Sequence, residues 1–319
     1  MFEPQRRRFV LAGLLAAIGA AHARSGLGAA RDTAIALVLK DLPDPFTMAM
    51  ISAAKVFQAH APYPFRLTVL GIQSESDAAG QIRLVDTAIK QGVNAIVLAP
   101  SDSRALVNAT RRSAQHGILT LAIDNPLDAD ALREAHLHIP YVGPDDRRAA
   151  RRVGDYLARR LHAGDRVGII EGVSADLNAQ QRTAGFRDAM QAAQIEVVGV
   201  ESGNWEYGQG RLAAASILAA RPGIRALLCA NDNMARGAVD AVRESQLTGR
   251  VLITGFNASD AIKPMIKDGR VLATLDQFAQ KQAVYGLDVA LQACQEHRAQ
   301  DDLPDYIETP VTLVTKESL

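Results

Sequence analysis

The sequence predicts an α/β protein with two parallel sheets, each covered by helices on both faces. Short apolar runs rich in β-branched residues, such as "TAIALVLK" (33–40) and "AIVLA" (95–99), alternate with longer stretches of helical periodicity. Alternation of this kind is typical of parallel sheets whose strands are buried on both faces. The 319 residues are enough for two compact domains, and the strands are enough for two sheets.

The same rhythm of strand and helix runs through both halves of the chain. In the first half, strands and helices are predicted in alternation at 33–40, 45–60, 65–71, 78–92, 95–99, 104–117 and 119–123. In the second half, they are predicted at 166–171, 179–193, 196–201, 208–220, 226–230, 233–245 and 251–256. Two such series of units predict two similar lobes.

An internal similarity supports this duplication. The segment "AIVLAPSDSRALVNATRRSAQHGILTLAIDN" (95–125) and the segment "ALLCANDNMARGAVDAVRESQLTGRVLITGFN" (226–257) have strand, turn, helix and return strand in matching order. Both segments end their second strand in a short polar turn that contains asparagine. A duplicated lobe is the most economical interpretation of this match.

The charge balance argues against nucleic acid as a partner and against an anionic membrane surface. The chain has 35 basic and 35 acidic side chains, so its formal net charge is zero. Hydrophobic residues make up 48% and charged residues 22%, which is typical of a folded globular protein. The basic run "DDRRAARRVGDYLARR" (145–160) has helical spacing, which indicates a solvated helix face.

The amino terminus is predicted to be an export signal. The segment "QRRRFVLAGLLAAIGAAHA" (5–23) has a basic head, an apolar run and a small-x-small cleavage site. The apolar run is too short to cross a bilayer core of about 30 Å. We therefore expect residues 1–23 to be removed and the mature protein to reside in the periplasm. The pair Arg6-Arg7 also fits the twin-arginine pattern, so either the Sec or the twin-arginine route is possible.

Polar or aromatic side chains recur at one place, soon after a strand. They are Asp44, Phe46, Ser101, Asp102, Asp124, Asn125, Asn231 and Asn257. The carboxyl ends of parallel strands converge on a crevice, which is where ligands bind in open α/β sheets. A polar rim that faces a crevice from both lobes predicts a clamp.

The catalytic and cofactor motifs of the sequence do not support an enzyme. The sequence "GQGRLA" (208–213) matches a loose dinucleotide pattern, but several residues separate it from its strand and the expected acidic residue is missing. His136 and His138 are two residues apart, so on a strand they would point to the same face and could bind a metal ion. No third ligand stands nearby at motif spacing, so solvent-facing histidines are favoured. We expect no catalytic residue, no metal and no cofactor.

The remaining polar residues suit a small, hydroxyl-rich ligand. Carboxylates and amides pair with vicinal hydroxyls, arginine offers a fixed fork of donors, and aromatic faces pack on sugar C–H groups. Arg182 lies near the start of a helix, and Trp205 lies in the polar segment "ESGNWEYGQG". A surface salt bridge for Arg182 and a small core under a loop for Trp205 are the alternatives.

The triplet after the strand "ALLCA" is predicted to divide its roles. Asn231 stands at the strand's carboxyl end and is expected to face the ligand. Asp232 is the expected cap of the following helix, and Asn233 is expected to lie in its exposed first turn.

With these motifs in place, the chain resembles the periplasmic sugar-binding proteins of the ribose-binding type, which serve ABC importers and share their fold with the effector domains of LacI-type repressors. The resemblance runs from about Asp32 to the end. It is carried by "IALVLKDLPDPF", "IVLAPSDSRAL", "LAIDN", "GDYLARRL", "QQRTAGFRDAM", "CANDNMARGA", "ITGFNAS" and "GRVLATLDQ".

The resemblance implies two similar doubly wound parallel-sheet lobes joined by a three-crossing hinge, with the ligand cleft between them. It implies an N-terminal lobe at 31–143 plus 277–308 and a C-terminal lobe at 144–276 plus 309–319, with closure by hinge motion. Carried over position by position, the implied ligand-binding residues are Asp44, Phe46, Asp124, Asn125, Arg182, Trp205, Asn231, Phe256, Asn257 and Gln277. Phe46, Trp205 and Phe256 would stack on a sugar ring, while Asp124 and Arg182 would hold hydroxyls.

Four positions depart from the ribose-binding pattern. Ribose-type receptors usually carry Asn, Asn, Arg and Asp where this chain has Asp44, Ala99, Asn125 and Asn257. A buried site built for one hydroxyl pattern rejects another strongly. Ribose, another pentose or hexose, a sugar alcohol or another small polyhydroxy compound all remain open as the ligand.

Three functions share this fold. The favoured one is the binding component of an ABC importer, a monomer whose partners are a carbohydrate or polyol and an inner-membrane permease. An exported sensor that signals through a membrane receptor or kinase would use the same site. A LacI-type regulator is disfavoured because an export signal stands where its DNA-binding helices would be.

Overall fold

Two six-stranded sheets form the frame of the protein. The computed structural model describes residues 33–319, so the export signal predicted at 1–23 lies outside the described residues. The strands of the first sheet are β1 (Thr33–Leu39), β2 (Phe65–Gly71), β3 (Ala95–Leu98), β4 (Leu119–Ile123), β5 (Tyr141–Gly143) and β11 (Tyr306–Glu308). Those of the second are β6 (Arg166–Glu171), β7 (Glu196–Ser202), β8 (Ala226–Cys229), β9 (Leu252–Thr254), β10 (Ala273–Asp276) and β12 (Thr312–Thr315).

The two sheets have the same strand order. The first runs β11-β5-β4-β3-β1-β2 and the second β12-β10-β9-β8-β6-β7. All neighbouring strands are parallel except β12, which pairs antiparallel with β10. Both sheets therefore place their first strand beside their third, and the switch in strand order opens a crevice at the carboxyl ends. The predicted α/β fold with two similar doubly wound lobes is confirmed.

Helices cover both faces of each sheet. They are α1 (Pro45–His60), α2 (Ala78–Lys90), α3 (Val107–Gln115), α4 (Ala129–Glu134), α5 (Asp146–Ala158), α6 (Leu177–Ala192), α7 (Tyr207–Ala220), α8 (Asp232–Glu244), α9 (Lys263–Lys267) and α10 (Ala279–Gln295). Four of them are preceded by a polar cap residue whose side chain accepts a hydrogen bond from the amide of the third helical residue. These caps are Asp77, Asp128, Asp145 and Asn231.

Strand β1 shows how sequence pattern becomes layered packing. Ile35, Leu37 and Leu39 face the layer that contains α1 and α10, whereas Ala34, Ala36 and Val38 face the layer of α2 and α3. Successive side chains of a strand point to opposite faces, so a strand buried on both sides must be apolar at every position. Burial on both faces therefore explains the continuous apolar run in the sequence.

The chain passes three times between the sheets. It leaves β5 for α5, returns from β10 through α10, which packs on the first sheet, and goes from β11 to β12. Beyond the first crossing, α5 packs tightly against α6. A Cβ on Gly185 would lie 2.1 Å from the carbonyl oxygen of Arg147, so a larger residue could not keep this approach.

The two alternating histidines lie outside the strands of the first sheet. His136 and His138 do not lie on a strand, and His136 has a left-handed backbone with φ 51°. His138 is partly buried, and its Nδ1 lies 3.1 Å from the carbonyl oxygen of Gln300. Within residues 33–319, no helix has both the length and the apolar character needed to cross a membrane.

Candidate functional site

A narrow polar cavity lies where the carboxyl ends of the two sheets face each other. Its volume is about 30 Å³, room for about one or two water molecules. Its lining consists of strand-end and helix-start residues from both sheets, namely Leu39, Lys40, Asp44, Phe46, Thr47, Met50, Glu75, Ala99, Asp124, Asn178, Arg182, Trp205, Asn231, Asn257 and Gln277. A ligand of monosaccharide size therefore requires the side chains or the lobes to move.

Lys40 contributes its ammonium group to the lining of this cavity. It follows β1 directly, and its Nζ lies 3.3 Å from Glu75 Oε2, 3.3 Å from Asp124 Oδ2 and 3.8 Å from Asp176 Oδ2. Burial alone lowers the pKa of Lys40, but the three carboxylates outweigh this effect and raise the pKa above its ordinary value. Lys40 is therefore a fixed positive charge inside the cleft.

The carboxylates around Lys40 have different surroundings. Burial raises the pKa of Glu75 to about 8, although Lys40 acts in the opposite direction. Burial also raises the pKa of Asp176, and the charge of Lys40 and the indole of Trp205 partly counteract this rise. Desolvation is the dominant cause in both cases because a carboxylate loses its water when the cleft closes over it.

Trp205 forms one wall of the cavity. It is 6% exposed, its Nε1 donates to Asp176 Oδ2 at 2.8 Å, and its ring centroid lies 5.9 Å from Lys40 Nζ. A Cβ on Gly172 would lie 2.1 Å from the indole, so only glycine allows the ring to lie against the chain there. Burial and contact with the cavity are therefore combined in Trp205, which also belongs to the apolar core of the second sheet.

Arg182 is held in place by three partners. Its Nε donates to Asp146 Oδ1 at 2.6 Å, its Nη1 donates to the carbonyl oxygen of Ala230 at 3.0 Å, and its guanidinium carbon lies 4.0 Å from the ring centroid of Phe256. Burial raises the pKa of Asp146 to about 6 although Arg182 opposes this rise. Arg182 is thus a buried, oriented donor rather than a surface ion pair.

Three buried side-chain atoms of the cavity lining have no hydrogen-bond partner among residues 33–319, and one of them, Glu75 Oε2, lies at ion-pair distance from Lys40. The other two are Arg182 Nη2 and Asn178 Oδ1. One is a donor and the other an acceptor, and a buried polar atom without a partner is costly. A hydroxyl group, which both donates and accepts, would satisfy such a pair of atoms.

Direct hydrogen bonds join the two lobes around the cavity. Asn233 Nδ2 donates to Asp44 Oδ2 at 2.6 Å, and the amide nitrogen of Asn178 donates to Asn125 Oδ1 at 3.1 Å. The amide nitrogen of Leu177 lies 3.3 Å from its acceptor, Ser103 Oγ. The structure is therefore a closed form of the clamp.

The roles predicted for the triplet at 231–233 were wrong in part. Asn231 is itself the helix cap, since its Oδ1 accepts from the amide of Met234 at 2.9 Å while its Nδ2 donates to the carbonyl oxygen of Trp205 at 2.8 Å. Asp232 is buried and accepts from Thr274 Oγ1 at 2.7 Å, so it braces the second sheet instead of capping the helix. Asn233 is the residue that contacts the opposite lobe.

Three predicted site residues have backbones in the left-handed region. The φ angles are 62° for Asp124, 66° for Trp205 and 113° for Asn257. Non-glycine residues adopt such angles only at a conformational cost, and they concentrate at sites where a side chain must point in a required direction. Asn257 Oδ1 accepts from Gln277 Nε2 at 2.8 Å, which ties the end of β9 to the crossing after β10.

Eight of the ten predicted site residues line the cavity. They are Asp44, Phe46, Asp124, Arg182, Trp205, Asn231, Asn257 and Gln277. The other two are fully buried behind it. Asn125 donates from Nδ2 to the carbonyl oxygen of Pro100 at 3.0 Å, and Phe256 packs under Arg182. Ligand contact by all ten remains a prediction.

Sequence reasoning missed four residues of the site. Lys40 and Glu75 come soon after β1 and β2, at the same strand-end position that revealed the other residues. Asp176 and Asn178 stand at the start of α6, where neither a motif nor a charge pattern distinguished them. The strand-end rule, applied to every strand, would have found the first two.

The fold and this cavity define the class of protein. Two lobes meet over a site made of carboxylates, amides, one guanidinium and one indole, which are groups that hold hydroxyls and the flat face of a ring. Within residues 33–319, no group of three or more His, Cys, Asp or Glu side chains is arranged to hold a metal ion. The protein is a two-lobed receptor for a small polar ligand.

Comparison with known proteins identifies the family. The periplasmic binding protein domain matches residues 35–298. The D-ribose/D-allose-binding protein of Pseudomonas aeruginosa is 48% identical over 281 residues, which cover 88% of each chain. The chain belongs to the periplasmic binding protein family, and its resemblance to the sugar-binding members of ABC importers is confirmed.

Solved structures agree with this assignment. An ABC transporter solute-binding protein from Burkholderia multivorans, with an unknown ligand represented as α-D-erythrofuranose, is 52% identical with a TM-score of 0.87, covering 90% of this chain and 100% of the other. A periplasmic solute-binding protein from Actinobacillus succinogenes with bound D-allose is 30% identical with a TM-score of 0.84, covering 90% and 99%.

Proposed function

We propose that this protein is the binding component of an ABC importer and that it holds a D-aldose, D-allose or D-ribose, in the cleft between its lobes. The observation that carries this proposal is the pair of unused atoms in the cavity, Arg182 Nη2 and Asn178 Oδ1, beside the indole of Trp205. Sugar hydroxyls would satisfy these atoms, and the indole face would pack on the C–H side of the ring. The relatives that bind these two sugars support the choice.

We expect the sugar to be bound by the ten predicted residues together with Lys40 and the carboxylates around it. Asp124 and Arg182 lie on opposite lobes, so each can hold hydroxyls on its own side of the ring. Phe46 and Trp205 would contact the ring faces, whereas Asn125 and Phe256 would act from behind by positioning Asn178 and Arg182. Lys40 would donate to a ring or hydroxyl oxygen, because ammonium has donors only.

Delivery to a membrane permease requires that the cleft open and close. We propose lobes at 31–143 plus 277–308 and at 144–276 plus 309–319, hinged where the chain passes between the sheets. The protein would bind and release its sugar without catalysis. Residues 1–23 would direct its export, and the periplasm would be its place of action.

Titration with individual sugars tests the proposed ligand. A ligand present at a hundred times its dissociation constant stabilises the folded form by about 2.7 kcal/mol, so D-allose or D-ribose should raise the melting temperature. Amino acids should leave it unchanged. If amino acids raised the melting temperature and no sugar or polyol did, the proposed function would be wrong.

A binding-site variant connects the titration to the cavity. Asn178→Ala removes a carboxamide that lines the cavity and leaves the backbone amide that bonds to Asn125. Calorimetry should show weaker sugar binding, while the exposed Asn108→Ala on α3 should bind as the wild type does. Equal affinities in the two variants would remove Asn178 from the site.

A further inference from the structure

One cluster of charged side chains in the cleft has more negative groups than positive ones. Three carboxylates, those of Glu75, Asp124 and Asp176, surround the single ammonium of Lys40 within 3.8 Å. The side chains of the cluster are at most 12% exposed. A buried group of like charges that exceeds its counter-charge is stabilised when one member takes up a proton.

The cluster is complete only when the lobes are closed. Lys40, Glu75 and Asp124 follow strands of the first sheet, whereas Asp176 precedes α6 beside the second sheet. Opening the cleft would separate Asp176 from the other three and expose them to water. Closing brings the third carboxylate to the lysine and removes the water at the same time.

The carboxylates differ in what stabilises their charged form. Asp176 accepts a hydrogen bond from the indole of Trp205 at 2.8 Å. Asp124 Oδ2 lies 3.3 Å from Lys40 Nζ, the same distance as Glu75 Oε2, but it is not among the fully buried oxygens that lack a hydrogen-bond partner. Glu75 Oε2 is buried and has no hydrogen-bond partner among residues 33–319, although it lies at ion-pair distance from Lys40. Among the three carboxylate oxygens paired with Lys40, the one on Glu75 is therefore the one that is buried without a hydrogen bond.

We propose that closure of the cleft around its sugar takes up one proton, and that Glu75 is the group that receives it. The proposal depends on ligand binding in the cleft, as inferred above. A protonated Glu75 also changes from an acceptor to a donor, so it can give a hydrogen bond to a sugar oxygen. Proton uptake and ligand recognition would then occur at the same atom.

The direction of the pH effect follows from this uptake. In the open form Glu75 is solvated and titrates near its ordinary value of 4.5, whereas burial in the closed form raises its pKa to about 8. Between about pH 5 and pH 8 the closed form therefore binds one proton more than the open form. Affinity should be highest at acidic pH and fall about tenfold per pH unit across that range.

Other titratable groups face Glu75 and must be separated from it. The charged groups around it are Lys40, Asp41, Asp124 and Asp176. Burial raises the pKa of Asp41 to about 6, with Asp44 and Glu206 adding to the rise. Asp41 therefore provides the matched control, because it is a neighbouring carboxylate with a raised pKa that does not contact Lys40 in an ion pair.

The experiment measures sugar affinity against pH in three proteins. Calorimetric titrations with D-allose, and with D-ribose in parallel, would cover pH 5.5 to 8.0 in two buffers of different ionisation enthalpy. The wild type should take up about one proton on binding near pH 7 and lose about tenfold in affinity per pH unit. Near pH 7 and above, where Asp41 is ionised, Glu75→Gln should bind with little pH dependence and no proton uptake, while Asp41→Asn should keep both.

Each other outcome has a definite meaning. Sugar binding with no pH dependence in the wild type would overturn the proton uptake and leave the proposed function standing. An unchanged pH slope in Glu75→Gln would assign the proton to another group and also overturn the proposal. Failure of both sugars to bind at every pH would overturn the proposed ligand as well.

Discussion

Asn233 Nδ2 donates a hydrogen bond of 2.6 Å to Asp44 Oδ2, and this bond spans the cleft. Asp44 uses its other oxygen to cap α1, where Oδ1 accepts from the amide of Phe46 at 2.7 Å. The carboxylate of Asp44 thus caps α1 on its own lobe and accepts a hydrogen bond from the first turn of α8 on the other lobe. The closed form is stabilised by the protein itself as well as by any ligand.

Asn233→Ala should weaken sugar binding without unfolding the protein. The lost bond is made to a charged group and is worth about 1.5 kcal/mol, so the affinity should fall roughly tenfold. Because Asn233 is partly exposed, the melting temperature without ligand should change little. Calorimetry on Asn233→Ala and on the exposed Asn108→Ala would check this, and equal affinities would show that the bond does not contribute to closure.

Arg182→Ala should cost about 3–5 kcal/mol of unfolding free energy, because it leaves Asp146 buried without its counter-charge. The two side chains are only 2% and 4% exposed. The double variant Arg182→Ala with Asp146→Asn should recover part of the loss. Urea unfolding would measure both values.

The exposed pair Arg211–Glu244 supplies the comparison for that experiment. Its side chains are 42% and 46% exposed, so Arg211→Ala should cost much less than Arg182→Ala because solvent screens the pair. If Arg182→Ala lost as little unfolding free energy as Arg211→Ala, burial of Asp146 without its counter-charge would not be costly.

Trp205 should report ligand binding by its fluorescence. It is the only tryptophan of the chain, and it lines the cavity next to Asp176 and Lys40. Addition of D-allose or D-ribose should change its emission, with the dissociation constant found by calorimetry. Unchanged emission at a saturating concentration would place the ligand elsewhere.

Trp205→Phe tests the hydrogen bond of the indole. The variant keeps a ring but removes the donor to Asp176, which should cost about 1.5–3 kcal/mol of binding or stability. Urea unfolding and sugar titration of the same sample would show how that cost is divided. No loss in either measurement would contradict the bond.

Asp232 should make the folded protein less stable as pH rises towards neutrality. Burial raises its pKa to about 7, from an ordinary value of 3.8, despite hydrogen bonds from Thr274 and Ser259. Between about pH 4 and pH 7 the folded form keeps a proton that the unfolded form releases. The unfolding free energy should therefore fall by up to about 1.4 kcal/mol per pH unit through this group.

Asp232→Asn should reduce that slope by about one proton, as measured by urea unfolding at several pH values. The exposed Asp260→Asn is the control, since a hydrogen bond from Lys263 lowers the pKa of Asp260 instead of raising it. If both variants kept the wild-type slope, the raised pKa of Asp232 would be refuted.

The sequence by itself determined the fold class, the duplicated order of strands and helices, and the edge of the sheets where a site would form. These properties are local, because periodicity and strand-end polarity can be read within a few residues. That is why Asp124, which directly follows β4, and Asn257, three residues after β9, could be predicted from the sequence. The same rule also applies to Lys40, directly after β1, and to Glu75, four residues after β2, although the sequence analysis did not select them.

Only the tertiary structure decided how these residues share their roles. Lys40, Glu75, Asp124 and Asp176 come from four separate segments, and their charge balance exists only where those segments meet. The division of roles between Asn231 and Asn233 likewise depends on side-chain directions and on the approach of the opposite lobe. Burial, electrostatic coupling and contact across the cleft are properties of positions in space, and adjacent letters in a sequence do not carry them.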